Sequence, residues 1–437
     1  MKKLTTWMQL YNLLLVFLHP LTFGHLWLLY EPIMNNSHID LSNCDLEPIR
    51  VPGQIQSHGL LIAVDADSLI QYHSENTAIV PGLPTNLIGW HLNAIQAFFD
   101  FESSFGLFEE QIRKGKTAGF EKVNPASVQL GGKPFNLIMS VSGEYCLLEF
   151  EPAAGHSDLN VNHMIGRSIT EMLIDRDLGH LLDNTAQQVK NIIQFDRIMI
   201  YRFAKDGHGE VVAESKNENL LPLLGLHYPA SDIPKQVREL YKINLTRHIA
   251  DVHSLSSIII SRPDHQDPID LTFSQLRAVS PIHIQYLKNM KVDSSFSISI
   301  ICHKELWGLI ACHNYSSRFI DYLSRESAGM IGQIFSSALE FRQDQHEHEI
   351  FGRYKTGVDA LSRNLQKNNS LRAALTSFDI NMMDAVDSSG AVLIYENKVS
   401  RLGRTPDNQQ LNGLVNWVKD NVIRNALPYQ PIVSGLP

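Results

Sequence analysis

The sequence predicts an α+β protein of several domains, each a central antiparallel sheet with helices packed on it, followed by one long helix. Three observations carry that prediction. The chain has 437 residues, beyond the roughly 250–300 at which a single hydrophobic core stops growing. Short apolar runs face each other across turn residues at several places, the mark of hairpins. From Ser324 to about Gln366 no proline intervenes, and Met330, Ile334, Ala338 and Phe341 recur at helical spacing.

In chain order, residues 1–33 are an apolar leader. Trp7 to Tyr30 suits a membrane span of ~20 residues, and Lys2 and Lys3 precede it as in a signal sequence. Three readings stay open: a natural start at Met34, a membrane anchor, or a cleaved signal. A start at Met34 leaves a short polar arm and a cytoplasmic protein. Residues 34–157 are that arm and a first domain, in which Gly59–Asp65 and Leu69–His73 form a hairpin. Polar residues 153–158 mark its end. The second domain, 158–342, opens with a helix from Ile174 to Ile193. Hairpins then turn at Asp206-Gly207 and at Lys304-Glu305, and a helical excursion between them walls a cavity. The long helix leads into residues 343–437, where Ala391–Tyr395 and Val399–Leu402 begin another sheet.

Composition excludes several functions. A net charge of −9 speaks against a general nucleic-acid surface. Four scattered cysteines without a CxxC imply neither a disulfide framework nor a zinc ribbon. Cys302-His303 and Cys312-His313 sit ~17 Å apart along a hairpin, too far for one metal ion. His346-Glu-His-Glu349 is not a metalloprotease motif. No Gly-rich phosphate loop appears, so an enzyme is not expected.

Three segments carry the chemistry. Cys44 stands in Asn43-Cys-Asp-Leu-Glu-Pro48. Read alone it is a small buried hydrophobe, although a thiol near a flexible end can add to a bound electrophile. In Tyr228-Pro-Ala-Ser-Asp-Ile-Pro234, Ser231 or Asp232 can cap a helix from about Ile233 to Tyr241 with Pro234 in its first turn. In Ser280-Pro-Ile-His-Ile-Gln-Tyr-Leu-Lys-Asn-Met290, His283, Tyr286 and Met290 share one helical face. A core histidine is the ordinary account of such a face.

Together and in this order, the three segments resemble the bilin pocket of bacterial phytochromes, a likeness running from about Asn43 to the end. It implies a PAS domain and a GAF domain joined by a figure-of-eight knot, with Ile55 the threaded residue, followed by a partial PHY domain. It implies a red/far-red photoreceptor that holds biliverdin IXα through a thioether to Cys44, since Ile282 stands where plant-type relatives carry their attachment cysteine. The Asp232 carbonyl would meet the pyrrole N–H groups, with His283 beside the inner rings. Tyr201, Tyr228 and Tyr286 would surround ring D, with Ile233, Pro234 and Met290 also lining the pocket. Tyr241, Arg247 and Arg277 would bind the propionates, whose carboxylates suit a guanidinium fork. His313, Ser295 and Ser297 would contact the ring-C propionate and the ring-D carbonyl. The expected partners are a second copy through the long helix and an output domain or response regulator outside this chain. The arginine-bearing tongue of the PHY domain is not recognised before Pro437, so poor photoconversion and some fluorescence are expected. The alternative is a GAF-type receptor for another small ligand, such as a cyclic nucleotide.

Overall fold

The computed structural model describes residues 47–101, 107–153, 166, 177–263, 267–386, 388–396 and 398–418. All but Glu47 belong to one unit that begins at Pro48. Cys44 and the stretch Trp7 to Tyr30 lie outside the described residues. Among those described, no helix is long and apolar enough to cross a membrane.

The first domain is built on β1 (Gln54–Gln56), β2 (Leu60–Val64), β3 (Ile70–Ser74), β4 (Asp100–Phe101), β5 (Ala126–Leu130), β6 (Lys133–Ser142) and β7 (Tyr145–Pro152). Two helices, α1 (Leu92–Ile95) and α2 (Phe108–Ala118), accompany them. The predicted hairpin of β2 and β3 is present. Strand β2 is apolar at every position because both faces of its sheet are covered. Leu60, Ile62 and Val64 pack with Leu92, Ile95, Phe108 and Ile112 of the two helices. Leu61 and Ala63 pack the other way, on Ile269, Leu271 and Leu276 of the second domain.

The second domain follows with α3 (Leu178–Ile193), β8 (Arg197–Phe203), β9 (Gly209–Lys216), β10 (His227–Tyr228), α4 (Lys235–Ile243), β11 (Thr246–Ile249), β12 (Ser256–Ser261), α5 (Pro281–Asn289), β13 (Ser294–Cys302), β14 (Glu305–Asn314) and α6 (Tyr322–Lys367). Six of its strands form an antiparallel sheet with β11 at one edge, in the order β10-β9-β8-β14-β13-β11. The excursion between β9 and β13 carries α4 and α5, as the hairpin spacing predicts. Two boundaries differ from expectation. Helix α3 starts at Leu178, because Asp177 is extended and its carboxylate caps the His180 N–H at 2.9 Å. Ile174 lies outside the described residues. The last hairpin turns one residue early, at His303-Lys304, where both residues take left-handed φ of 51° and 64°.

Strand β12 leaves this domain and joins the first sheet, giving the order β1-β12-β3-β2-β7-β6-β5-β4. Residues 50–56 thereby run between two passes of one excursion. On one side Ile259 N–H donates to Gly53 O at 2.9 Å. On the other, Leu271 N–H donates to Arg50 O at 2.7 Å and Gln56 N–H to Leu276 O at 2.7 Å. Ile55 at the centre is fully buried. This is the enclosure that a threaded segment requires.

Buried charge reinforces the junction. The Arg325 guanidinium of α6 reaches both Glu151 oxygens of β7, at 2.9 and 2.8 Å, and donates to Ile320 O at 2.7 Å. Phe319 packs between His58 and His248, at ring separations of 5.2 and 5.6 Å. Burial holds both imidazoles neutral, His58 pushed down to about 3 and His248 well below its ordinary value, and Arg325 acts in the same direction.

Helix α6 runs 46 residues, capped by Asp321, whose carboxylate accepts the Ser324 N–H at 2.9 Å. Its first half closes the core of the second domain through Ala328, Ile331, Phe335 and Leu339. It then leads to α7 (Leu371–Thr376), the hairpin of β15 (Gly390–Tyr395) and β16 (Lys398–Gly403), and α8 (Asn408–Val418). The expected sheet is present there as that hairpin.

Two outcomes follow for stability. Arg325→Met strands the Glu151 carboxylate and should cost about 3–5 kcal/mol, seen as a lower Tm. Joint replacement with Glu151→Leu should recover most of that loss. For the two histidines, the unfolded chain takes up protons below about 6.5 while the folded protein does not. Stability should therefore fall as pH drops from 7 to 5, and His248→Phe should flatten that fall in thermal scans.

Candidate functional site

Side chains alternate across a strand, and the six-stranded sheet sorts them cleanly. Ile198, Ile200, Ala213, Phe296, Ile298, Ile300, Ile310 and Cys312 face α3 and α6 and form the core. The residues between them face the excursion. Across this second face, Arg247, Ser297, Ala311 and Met199 lie in one register row. Ile249, Ser295, His313 and Arg197 form the next. Eight residues from distant parts of the chain thus meet on one surface.

Over one end of this face lies an aromatic cluster. Met199, Tyr201 and Val211 pack with Phe203, Leu223, Tyr228, Ile233 and Ala311. The Tyr201 ring stands 5.3 Å from Phe203 and 6.0 Å from Tyr228. It lies across Gly209, where a Cβ would fall 1.7 Å from the ring, so only glycine fits. Burial raises the Tyr201 phenol to about 12, and Asp232 adds to that. Helix α5 brings its predicted face to the same place: His283 and Tyr286 stack with centroids 6.1 Å apart and planes 13° off parallel. The Tyr286 hydroxyl donates to Asp232 Oδ2 at 3.3 Å.

That contact corrects the expected cap. Neither Ser231 nor Asp232 caps α4, which starts at Lys235 after the extended Pro234. Residues 230–232 instead form a separate short turn. Arg238 of α4 holds it, donating to Ile233 O at 2.7 Å, Gly207 O at 2.7 Å and Ala230 O at 3.1 Å. The Asp232 carboxyl is consequently left for the site. Burial raises its pKa, and the Tyr286 hydroxyl works against that rise.

The other end is cationic. Arg247 donates to the carbonyls of Arg277 and Ala278, the latter at 3.1 Å. Arg277 is buried and donates to Ile49 O at 3.0 Å, while its Nε has no hydrogen-bond partner. Neither pairs with a carboxylate among the described residues. Burial lowers Arg247 to about 9 and Arg277 to about 10, so both stay charged at neutral pH. Ser297 Oγ donates to the Tyr241 hydroxyl at 3.2 Å, and Tyr241 lies near both guanidiniums. Both imidazoles of the site are neutral. Burial pushes His283 down to about 4, helped by Arg247, and His313 down to about 3, helped by His283 and Arg197. The His313 Nδ1 is buried without a hydrogen-bond partner.

Of the residues singled out by sequence, Tyr201, Tyr228, Ile233, Asp232, His283 and Tyr286 are thus brought to the aromatic end. Tyr241, Arg247, Arg277 and Ser297 form the cationic end, with Ser295 and His313 in the adjacent row. Met290 joins through Tyr286, packed near Ile249 and Leu287, and Pro234 serves as the entry to α4. Cys44 lies outside the described residues. Sequence reasoning missed the buried ion pair of Arg197 and Glu214. Arg197 also donates to Leu221 O at 2.7 Å, and Glu214 accepts the Leu223 N–H at 3.1 Å, so the pair pins the loop leading to Tyr228. Arg197 shares the parity of Tyr201 in its strand, which was a usable signal; the partner Glu214 had none.

Comparison with known proteins adds to this geometry. Family models match a PAS fold at residues 44–153, a GAF domain at 177–339 and a phytochrome region at 355–430. Cyanobacterial phytochrome B of Nostoc sp. is 33% identical over 414 residues, 91% of this chain and 54% of that protein. A bacteriophytochrome of Pseudomonas aeruginosa is 34% identical over 370 residues, 82% of this chain and 48% of that protein. The chain spans about half the length of these relatives. Among solved structures, the phytochrome photosensory core module of Stigmatella aurantiaca is 31% identical with a TM-score of 0.74, covering 88% of this chain and 77% of that one. The chromophore-binding domain of a Stigmatella aurantiaca phytochrome is 35% identical with a TM-score of 0.62, covering 67% of this chain and 98% of that one. On sequence and on structure alike, this chain belongs to the phytochrome family.

Proposed function

We propose that the chain is a light receptor that binds biliverdin IXα on the excursion-covered face of the second domain. The observation that carries this reading is the polarity of that face: at one end the buried Arg277 and the half-buried Arg247, both without carboxylate partners among the described residues, and at the other a tyrosine cluster. A buried cation without a counter-ion is costly. An elongated, largely apolar ligand bearing two carboxylates would supply the missing charges and fill the aromatic end. Buried polar atoms left unpaired in the protein, His313 Nδ1 and Arg277 Nε, fit such a ligand as well.

Biliverdin supplies red-light absorption and a double bond that isomerises. The protein's part is to hold and orient it. Arg247 and Arg277, with Tyr241 and Ser297 beside them, would bind the propionates, a guanidinium fork matching a carboxylate. Neutral His283 and His313 can each offer one ring nitrogen as donor and one as acceptor. Tyr201, Tyr228 and Tyr286 would enclose the ring that turns, and the Asp232–Tyr286 hydrogen bond is the contact placed to rearrange with it. Cys44 would tether the ligand: its sulfur bonds to a vinyl carbon as the π bond breaks, and the thiol proton ends on the neighbouring carbon. On this reading the chain acts as a receptor, and attachment of its own pigment is the one covalent step. Helix α6 would carry the change toward an output outside this chain. Exposed Leu323, Met330, Phe341, Phe351, Val358 and Leu365 along it support pairing with a second copy.

Mixing the purified protein with biliverdin should produce a red-absorbing band that converts only in part on red illumination. A colourless product after excess pigment would overturn the reading and leave a receptor for another small molecule. Cys44→Ser should abolish zinc-induced fluorescence on a denaturing gel while part of the native colour persists; a surviving covalent band would place the tether elsewhere.

A further inference from the structure

We propose that Glu149, on β7 of the first domain, is a positioning residue for the anion-binding arginines of the second. The proposal rests on the reading that Arg247 and Arg277 receive the ligand's carboxylates. Glu149 is fully buried. Its carboxylate accepts from Ser274 Oγ at 2.6 Å, from Leu276 N–H at 2.9 Å and from Gln275 N–H at 3.1 Å. Among the described residues no cation pairs with it, so these donors from one short segment are what compensate its charge.

That segment is the one that builds the cationic end. Directly after it come the carbonyls of Arg277 and Ala278, both of which hold the Arg247 guanidinium. Its next side chain is Arg277, anchored on Ile49 O at 3.0 Å. The same backbone is clamped to the threaded strand, Gln56 N–H donating to Leu276 O at 2.7 Å and Ala278 N–H to Gln54 O at 3.1 Å. One carboxylate thus fixes three consecutive residues, and the two that follow set where both guanidiniums lie. Glu149 also sits close enough to Arg247 to favour its charged form.

Acceptor capacity on both oxygens is what this role requires. A glutamine has the same size, but its amide offers one acceptor oxygen and turns an NH2 group toward backbone N–H donors. Segment 274–276 would lose part of its grip while the aromatic end, built by β8, β10 and α5, keeps its packing. A residue needed only for folding would act on every ligand alike. A residue that positions the arginines acts on carboxylate binding.

The test uses the full chain, titrated by absorbance with biliverdin and with biliverdin dimethyl ester, in which both propionates are masked. For Glu149→Gln the diacid should bind about tenfold more weakly or worse, the loss expected for a disturbed charged contact. Ester affinity should stay within about twofold. Equal loss for both pigments, or no loss for either, overturns the proposal. If the unsubstituted chain binds neither pigment, the chromophore reading itself fails and the proposal falls with it. Ser274→Ala removes one donor and should give a smaller diacid-selective loss of about threefold. Should Glu149→Gln not fold, that variant decides the matter, equal weakening of both pigments again counting against Glu149.

Discussion

The pleat of β13 and β14 sends alternate residues to opposite sides, and the rest of the second domain is arranged around that constraint. Phe296, Ile298, Ile300, Ile310 and Cys312 go to the helices, while Ser295, Ser297, Ala311 and His313 go to the excursion. A shift of one residue in register would exchange the two sets and put serines and a histidine into the core. The apolar face therefore locks the polar face in place. This explains how uncharged imidazoles and unpaired guanidiniums are tolerated at the site. Their cost is carried by a core that cannot rearrange without losing much more.

Charge at the domain junction works in a related way. Two carboxylates on β7, Glu149 and Glu151, are both buried, and each reaches into the second domain. Glu151 meets the Arg325 guanidinium at the start of the long helix, and Glu149 meets backbone donors in the excursion. Neither contact adds much net stability against an apolar replacement of the same shape, because desolvation offsets the attraction. What they add is directionality. A hydrophobic interface between β2 and residues 269–276 would tolerate sliding; a buried carboxylate with fixed donors does not. The first domain thereby sets the position of the arginines and of α6 together.

Much of the site was legible in the chain. The spacing of His283 and Tyr286 on a helix required only the helical period, and their stacking in the structure agrees with it. The hairpins and the long helix were equally plain, since period-2 runs, turn residues and an unbroken apolar repeat are local signals. The phytochrome likeness named Arg247 and Arg277, which no local signal would have joined. Less was legible where two local accounts competed. Ser231 and Asp232 looked like caps because such residues before a helix usually are, yet Pro234 is extended and moves the helix start beyond their reach. Asp232 then turns to Tyr286, 54 residues away. The partnership of Arg197 with Glu214 depends on strand pairing and left no trace in either segment.

By itself the sequence determined which stretches are strands and helices, which face of each is apolar, and that three motifs of one family occur in order. These follow from steric preferences and hydrophobic periods acting over a few residues. Only the tertiary structure decided that β12 crosses to the first sheet, which hydrogen bonds enclose residues 50–56, and that a glutamate of one domain organises arginines of another. Such contacts join residues more than a hundred positions apart, and their energy comes from burial and desolvation, which exist only once the layers have closed.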